Sequence, residues 1–170
     1  NELKEILKKK EKYGAGKKKK GKIQIEFISA NPTGPLTLAN GRGGFFGDAL
    51  SNILEFCGYK IEREYYVNDT GNQILTLGKS ILANAGFLEF EEKFYKGEYV
   101  KEWAQKNLKA IKKHKEKPMK VGQIAAKDFL KEIKLAIKKA DINFDRWTSE
   151  EKNIHKKNFI NKALEIFKNK

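Results

Sequence analysis

The chain has 170 residues, 34% charged and 39% apolar, and its 36 Lys and Arg against 22 Asp and Glu give a formal net charge of +14. This length suffices for one core, and the polarity suits a folded, cytoplasmic protein. No apolar run approaches the roughly 18 residues that span a bilayer and no signal-peptide pattern opens the chain, so membrane and secreted classes are not expected.

Cys57, the only cysteine, and the two histidines, His114 and His155, lack metal-ligand spacing, which argues against a structural zinc. Cys57 stands at a helix end before Gly58 and is expected to be a buried structural thiol. The net charge favours a polyanionic partner. Yet Arg42, Arg63 and Arg146 are the only arginines beside 33 lysines. Phosphate- and base-reading surfaces usually recruit arginine's bidentate fork, so charge alone defines no nucleic-acid site.

In chain order, residues 1 to 12 carry a helical pattern with Leu3, Ile6 and Leu7 on one side, followed by the basic stretch GKKKKGK, read as a solvated linker. Ile23 to Phe27 alternates as a strand. After Pro35 a helix is expected, with Leu50, Ile53, Leu54 and Cys57 as its apolar face and Gly58 as its left-handed stop. Tyr59 to Val67 alternates again, and strand, helix, strand implies a parallel βαβ unit.

The turn NDTGN precedes an amphipathic helix with Ile74, Leu77, Ile81 and Ala85, ending at Gly86. Residues 87 to about 122 mingle aromatics with lysines and suit a mostly helical insertion. Ala126, Leu130, Ile133, Ile137 and Ala140 mark a long helix, Phe144 to Trp147 a short strand, and Asn158 to Lys170 a last amphipathic segment. The expected organisation is an N-terminal helix and basic linker (1–21), a βαβ half (22–86), a helical insertion (87–140) and a return segment (141–170). So few strands suggest a piece of something larger.

The loop SANPTGPLTLAN lies between the first strand and its helix, where a parallel sheet places ligands and where free helix N–H groups attract phosphate. Pro32 and Pro35 stiffen it, and Gly34 permits a tight turn. Gly41, Gly43 and Gly44 leave helix faces bare for a nucleotide. Ser29 and Asn31 place short polar groups at the strand end, able to hold an amine or a carboxylate. The spacing matches neither a P-loop nor a dinucleotide fingerprint.

The runs IEFISANPTGPL, NGRGGFFGDAL and GYKIEREYYVNDTGNQI, in this order and spacing, resemble class I arginyl-tRNA synthetases, with FYKGEYVKEWA and FDRWTSEE similar to later segments of that family. The resemblance implies an α/β fold, the Rossmann-like parallel sheet of the first half of the catalytic domain with a helical insertion. It also implies activation of L-arginine by ATP with Mg²⁺, without a protein-ligated metal, and transfer to tRNA(Arg) in the cytoplasm. Glu26, Ser29, Asn31 and Glu150 match positions around the arginine. Pro35, Thr37, Asn40, Gly41 and Gly43 match the ATP side, and Asn68, Asp69 and Gln73 a polar turn lining the cleft.

Thr37 and Asn40 stand where the family carries the two histidines of His-x-Gly-His. They are the expected catalytic pair, donating hydrogen bonds without becoming cationic. Ala39 adds a methyl where the family carries glycine. With no second Rossmann half, lysine loop or anticodon-binding domain in its 170 residues, the piece by itself is expected to be inactive. The alternative is a non-catalytic RNA-binding paralogue or module.

Overall fold

A computed structural model describes residues 1–157 and 159–168. The expected final segment Asn158 to Lys170 thus falls partly outside the described residues; within them α7 runs Phe159–Lys168. At the other end α1 (Glu2–Lys9) leaves Leu3, Ile6 and Leu7 exposed.

The sheet has three parallel strands in the order β1 (Lys22–Glu26), β2 (Lys60–Val67) and β3 (Arg146–Ser149). Lys22 to Glu26 lie opposite Lys60 to Glu64, so the parallel unit expected from the alternating runs is present. As the middle strand, β2 carries the deepest sheet residues, Tyr65 and Val67. β3 starts two residues later than expected. Ahead of it the Phe144 ring lies against Tyr65 and Phe27, with centroids 5.4 and 4.5 Å apart. Asp145 then splices the chain to β2: its N–H donates to the Arg63 carbonyl at 3.0 Å and its carboxylate accepts the Arg63 N–H at 2.8 Å.

α2 (Leu38–Phe56) joins β1 to β2, but it does not bury the face its apolar spacing suggests. Its buried residues are Gly44, Gly47 and Ser51, while Leu50 is exposed and Ile53 is 61% exposed. Packing of backbone on side chain explains the reversal: a Cβ on Gly47 would stand 2.3 Å from the Phe27 ring. Cys57 is likewise exposed, not buried. The helix stops at Gly58, at a φ of +93° as its left-handed role requires. The basic stretch is tied down by its backbone: Gly16 N–H donates to the Phe56 carbonyl and Lys19 N–H to the Gly58 carbonyl, both at 2.8 Å.

A helical layer follows: α3 (Gly71–Asn84), α4 (Glu98–Lys106), α5 (Leu108–His114) and α6 (Pro118–Lys139). Ile74, Leu77 and Ile81 of α3 are fully buried against Val121, Ala125 and Phe129 of α6. Farther along, Ile133 and Ile137 of α6 join Phe27, Tyr65 and Val67 in a second cluster. α6 therefore ties the helical layer to the sheet, holding the carboxyl ends of the strands beside the helices. No helix among the described residues is long and apolar enough to cross a membrane.

Candidate active site

The loop after β1 begins with two left-handed residues, Ile28 at φ +62° and Ser29 at φ +36°. Such backbone costs on the order of 1–3 kcal/mol per non-glycine residue and persists only where its surroundings hold it. Here the Ser29 hydroxyl oxygen accepts the Tyr66 N–H at 3.0 Å, and the Ala30 carbonyl accepts the Tyr65 hydroxyl at 2.9 Å. Burial pushes the Tyr65 phenol well above its ordinary range, which keeps it a donor. The loop is thereby pinned to β2, and Asn31 reaches α3, its amide donating to Gln73 Oε1.

Beyond Asn31 the loop lines a cleft of about 570 Å³ that takes in Ser29, Asn31, Pro35, Thr37 and Asn40, with Tyr99 of α4 opposite. Gly34 is where Tyr99 closes in; a Cβ there would lie 2.7 Å from the ring. Gly41 and Gly43, by contrast, face open space.

Thr37 and Asn40 are bonded to one another. Asn40 N–H donates to Thr37 Oγ1 at 3.3 Å, while Asn40 Oδ1 accepts both the Thr37 N–H at 2.9 Å and its hydroxyl at 2.7 Å. This is a reciprocal capping box with Asn in the third position, satisfying two of the free donors at the start of α2. Its geometry spends the Thr37 hydroxyl proton on Asn40, so the Asn40 amide N–H₂ is the pair's remaining side-chain donor to the cleft. Thr37→Ala is expected to cost about 1 kcal/mol, or roughly 2–4 °C in thermal unfolding followed by circular dichroism. An unchanged midpoint would mean that the box does not secure the helix start.

A second group gathers at the ends of β2 and β3. The Asn68 amide nitrogen, oriented toward Glu150, donates to Oε2 at 3.0 Å and to the Thr70 carbonyl at 3.2 Å. His155 Nε2 lies 3.1 Å from Glu150 Oε1. Asp69 accepts the Ser149 hydroxyl at 2.6 Å and the Glu151 N–H at 3.0 Å, bracing the segment that carries Glu150. The Tyr66 hydroxyl is held above its ordinary pKa, first by burial, then by the charge of Glu150 and a hydrogen bond to it, with Asp69 and Glu26 adding to the effect. Asp69 and Glu150, carboxylates from two neighbouring strand ends, therefore share one neighbourhood, which suits a cationic ligand.

Of the site residues expected from the sequence, Ser29, Asn31, Pro35, Thr37 and Asn40 line the loop cleft, with Gln73 bonded to Asn31, and Asn68, Asp69 and Glu150 gather at the strand ends; the Tyr66 N–H, donating to Ser29 Oγ, ties the two, while Gly41 and Gly43 do not line the cleft and Glu26 stands at the exposed end of β1. Tyr66, Tyr99 and His155 also border these groups, though the sequence pattern does not single them out. Only Tyr66 carried a signal, its place near the carboxyl end of an alternating strand; nothing local ties Tyr99 to a loop some sixty residues earlier.

The family described as tRNA synthetases class I (R), catalytic domain, matches residues 2–170. The chain belongs to that family. It is 41% identical over 152 residues to the arginine–tRNA ligase of Desulfosudis oleivorans, covering 82% of this chain and 27% of that protein. It is also 38% identical over 178 residues to that of Carboxydothermus hydrogenoformans, covering 95% and 31%. Among solved structures, an arginyl-tRNA synthetase from Campylobacter jejuni superposes with a TM-score of 0.79 at 34% identity, over 96% of this chain and 39% of the other. The Thermus thermophilus enzyme, at 20% identity and a TM-score of 0.59 over 87% and 26%, shares the fold. The sheet and its flanking helices are the Rossmann-like fold of class I synthetase catalytic domains. The chain spans about 30% of the length of these curated relatives.

Proposed function

We propose that this chain supplies the amino-acid and nucleotide cleft of a cytoplasmic arginine–tRNA ligase. The observation that carries the reading is the meeting of Asp69 and Glu150 at the ends of β2 and β3, held by the Asn68, Ser149 and Glu151 hydrogen bonds, with a cleft opening on the start of α2. Glu150 and its neighbours receive the guanidinium, and Ser29 and Asn31 orient the amine and carboxylate of L-arginine. Pro35, Asn40, Gly41 and Gly43 frame the ATP side, with Asn40 donating to the nucleotide. In the reaction a carboxylate oxygen of arginine attacks the α-phosphorus and the bond to the β-phosphate breaks, releasing pyrophosphate. The terminal ribose hydroxyl of tRNA(Arg) then attacks the aminoacyl carbon, and AMP leaves. Mg²⁺ accompanies ATP and neutralises phosphate charge, while the chain's side chains act by positioning and hydrogen bonding.

A second reading, an RNA-binding relative that does not charge tRNA, is favoured by one observation: Thr37 and Asn40 are spent largely on each other. Thermal unfolding of the chain with millimolar L-arginine or Mg-ATP tests the two. A synthetase cleft raises the midpoint with each ligand in a concentration-dependent manner. Stabilisation by RNA alone, with steep salt dependence, would overturn the ligase reading.

A further inference from the structure

Glu150 is held through both of its oxygens, and one of its holders is an imidazole. The turn Glu151–His155 that follows it is π-helical, closed by the Lys156 N–H donating to the Glu151 carbonyl at 3.0 Å. A closure five residues long sets residue 155 over residue 150, whereas an α-helix would bring Ile154 there. His155 Nε2 thus comes within 3.1 Å of Glu150 Oε1, while the Asn68 amide takes Oε2. The start of the turn is fixed independently: Asp69 accepts the Glu151 N–H at 3.0 Å, and Ser149 Oγ accepts the Lys152 N–H at 3.1 Å. An ionised carboxylate only accepts, so the bond to Glu150 requires a neutral His155 to carry its proton on Nε2. Nδ1 is then the atom that takes up a second proton, and the side chain, 43% exposed, exchanges it with solvent.

We propose that His155 is a positioning residue that acts through Glu150 and makes L-arginine binding proton-linked. Neutral, it braces Glu150 and leaves the carboxylate charge to the guanidinium. Protonated, it offsets that charge at hydrogen-bond distance and repels the incoming cation, so arginine binding expels the Nδ1 proton to solvent. Around the pair stand Asp69 and Glu151, Lys152 and Lys156, and, on the facing α6, Lys120 and Lys127. α7, packed against the turn, adds Lys162, Glu165 and Lys168, and β3 adds Arg146, which is turned to Glu62 and Glu64. Carboxylates and ammoniums ordinarily keep their charge between about pH 6 and 8, and an imidazole does not. The Tyr66 hydroxyl, raised by burial and by Glu150, stays neutral there. The inference rests on the ligase reading for its ligand, whereas the His155–Glu150 pair rests on geometry.

The test is isothermal titration of the chain with L-arginine and with citrulline between about pH 5.5 and 8, in buffers of different protonation heat. Beside wild type stands His155→Gln, whose amide still donates to Glu150 but cannot ionise. Wild type is expected to bind arginine about tenfold more weakly at about pH 5.5 than at 7.5, the scale of linkage to one imidazole proton, and to release a fraction of a proton between them. His155→Gln should change its affinity less than about threefold over the same range and release none. Citrulline, neutral at its side chain, should bind both proteins without pH dependence. An equal slope for citrulline would mean that acid loosens the turn itself and would overturn the proposal, as would an unchanged arginine slope in His155→Gln. Arginine bound at no pH would sink the ligase reading instead, and proton NMR then decides the pair. The ring signals that His155→Gln lacks should shift when Glu150→Gln is introduced, and unmoved signals would overturn the pairing as well.

Discussion

Replacing Gly122 with alanine is expected to lower the melting temperature of the chain by about 10 °C. In an ordinary helix interior the same change stabilises by about 1 kcal/mol, because alanine forms helix better than glycine. Here α6 crosses α3 with the two backbones touching. A Cβ on Gly122 would lie 2.0 Å from the Ile74 carbonyl oxygen, and one on Gly78 would lie 1.9 Å from that of Pro118. Neither obstacle is a side chain that can rotate away, so the helices must separate. Separation loosens Ile74, Leu77, Val121 and Ala125, all essentially inaccessible to solvent. Overpacking of this kind costs about 3 kcal/mol, and for a chain of this size each kcal/mol shifts the midpoint by roughly 2–4 °C. Gly41→Ala is the matched comparison: its Cβ meets nothing within 4 Å, so it should leave the midpoint unchanged or raise it. A Gly122→Ala protein as stable as wild type would mean that the crossing is looser than described. Because α6 also carries Ile133 and Ile137 into the sheet cluster, the variant should weaken arginine binding as well.

That crossing marks the boundary of what the sequence made legible. The helical faces of α3 and α6 were readable because Ile74, Leu77, Ile81, Ile133 and Ile137 repeat with the helical period, and all are buried. Gly78 and Gly122 gave no such signal, since glycine in a helical run registers only as poor propensity. The α2 helix misled for a related reason. Its apolar stripe of Leu50, Ile53 and Leu54 invited burial, whereas the face laid on the sheet is that of Gly44, Gly47 and Ser51, small residues that let Phe27 and Ile28 approach the helix backbone. Periodicity detects side chains that fill space, and it is blind to residues chosen for taking up none.

The site was legible to a different degree in its two halves. The strand-end group was legible only through the resemblance to a known family, which places Glu26 and Glu150 around the arginine and Asp69 in the cleft; residue by residue, Glu150 reads as an ordinary solvated acid at a helix start. In the loop half, residue identity was informative and residue role was not. Thr37 and Asn40, three apart at a helix start, satisfy the capping geometry that any Thr-x-x-Asn can adopt, and only coordinates show that they take it. Their mutual bonds let one pair of side chains both secure α2 and leave a single amide donor facing the cleft, an economy two histidines would not need.

Glu150→Gln is expected to weaken L-arginine binding by about a hundredfold, the loss of a charge-assisted pair worth roughly 2–3 kcal/mol. The substitution is chosen to keep the surroundings intact. A Gln carbonyl still accepts from the Asn68 amide, and its amide nitrogen can face His155, so the contacts that hold residue 150 survive while its charge does not. Asp69 is the nearest substitute, but both its oxygens are engaged by Ser149 and the Glu151 N–H, and Glu26 stands at the exposed end of β1. Citrulline, with a neutral urea in place of the guanidinium, separates charge recognition from shape. Wild type should prefer arginine strongly, and Glu150→Gln should lose most of that preference while leaving the weak citrulline binding nearly unchanged. Isothermal titration of both ligands on both proteins closes the cycle. Arginine bound equally by wild type and variant would move the guanidinium site away from Glu150, and a parallel fall in arginine and citrulline binding would assign Glu150 to the shape of the pocket instead of its charge.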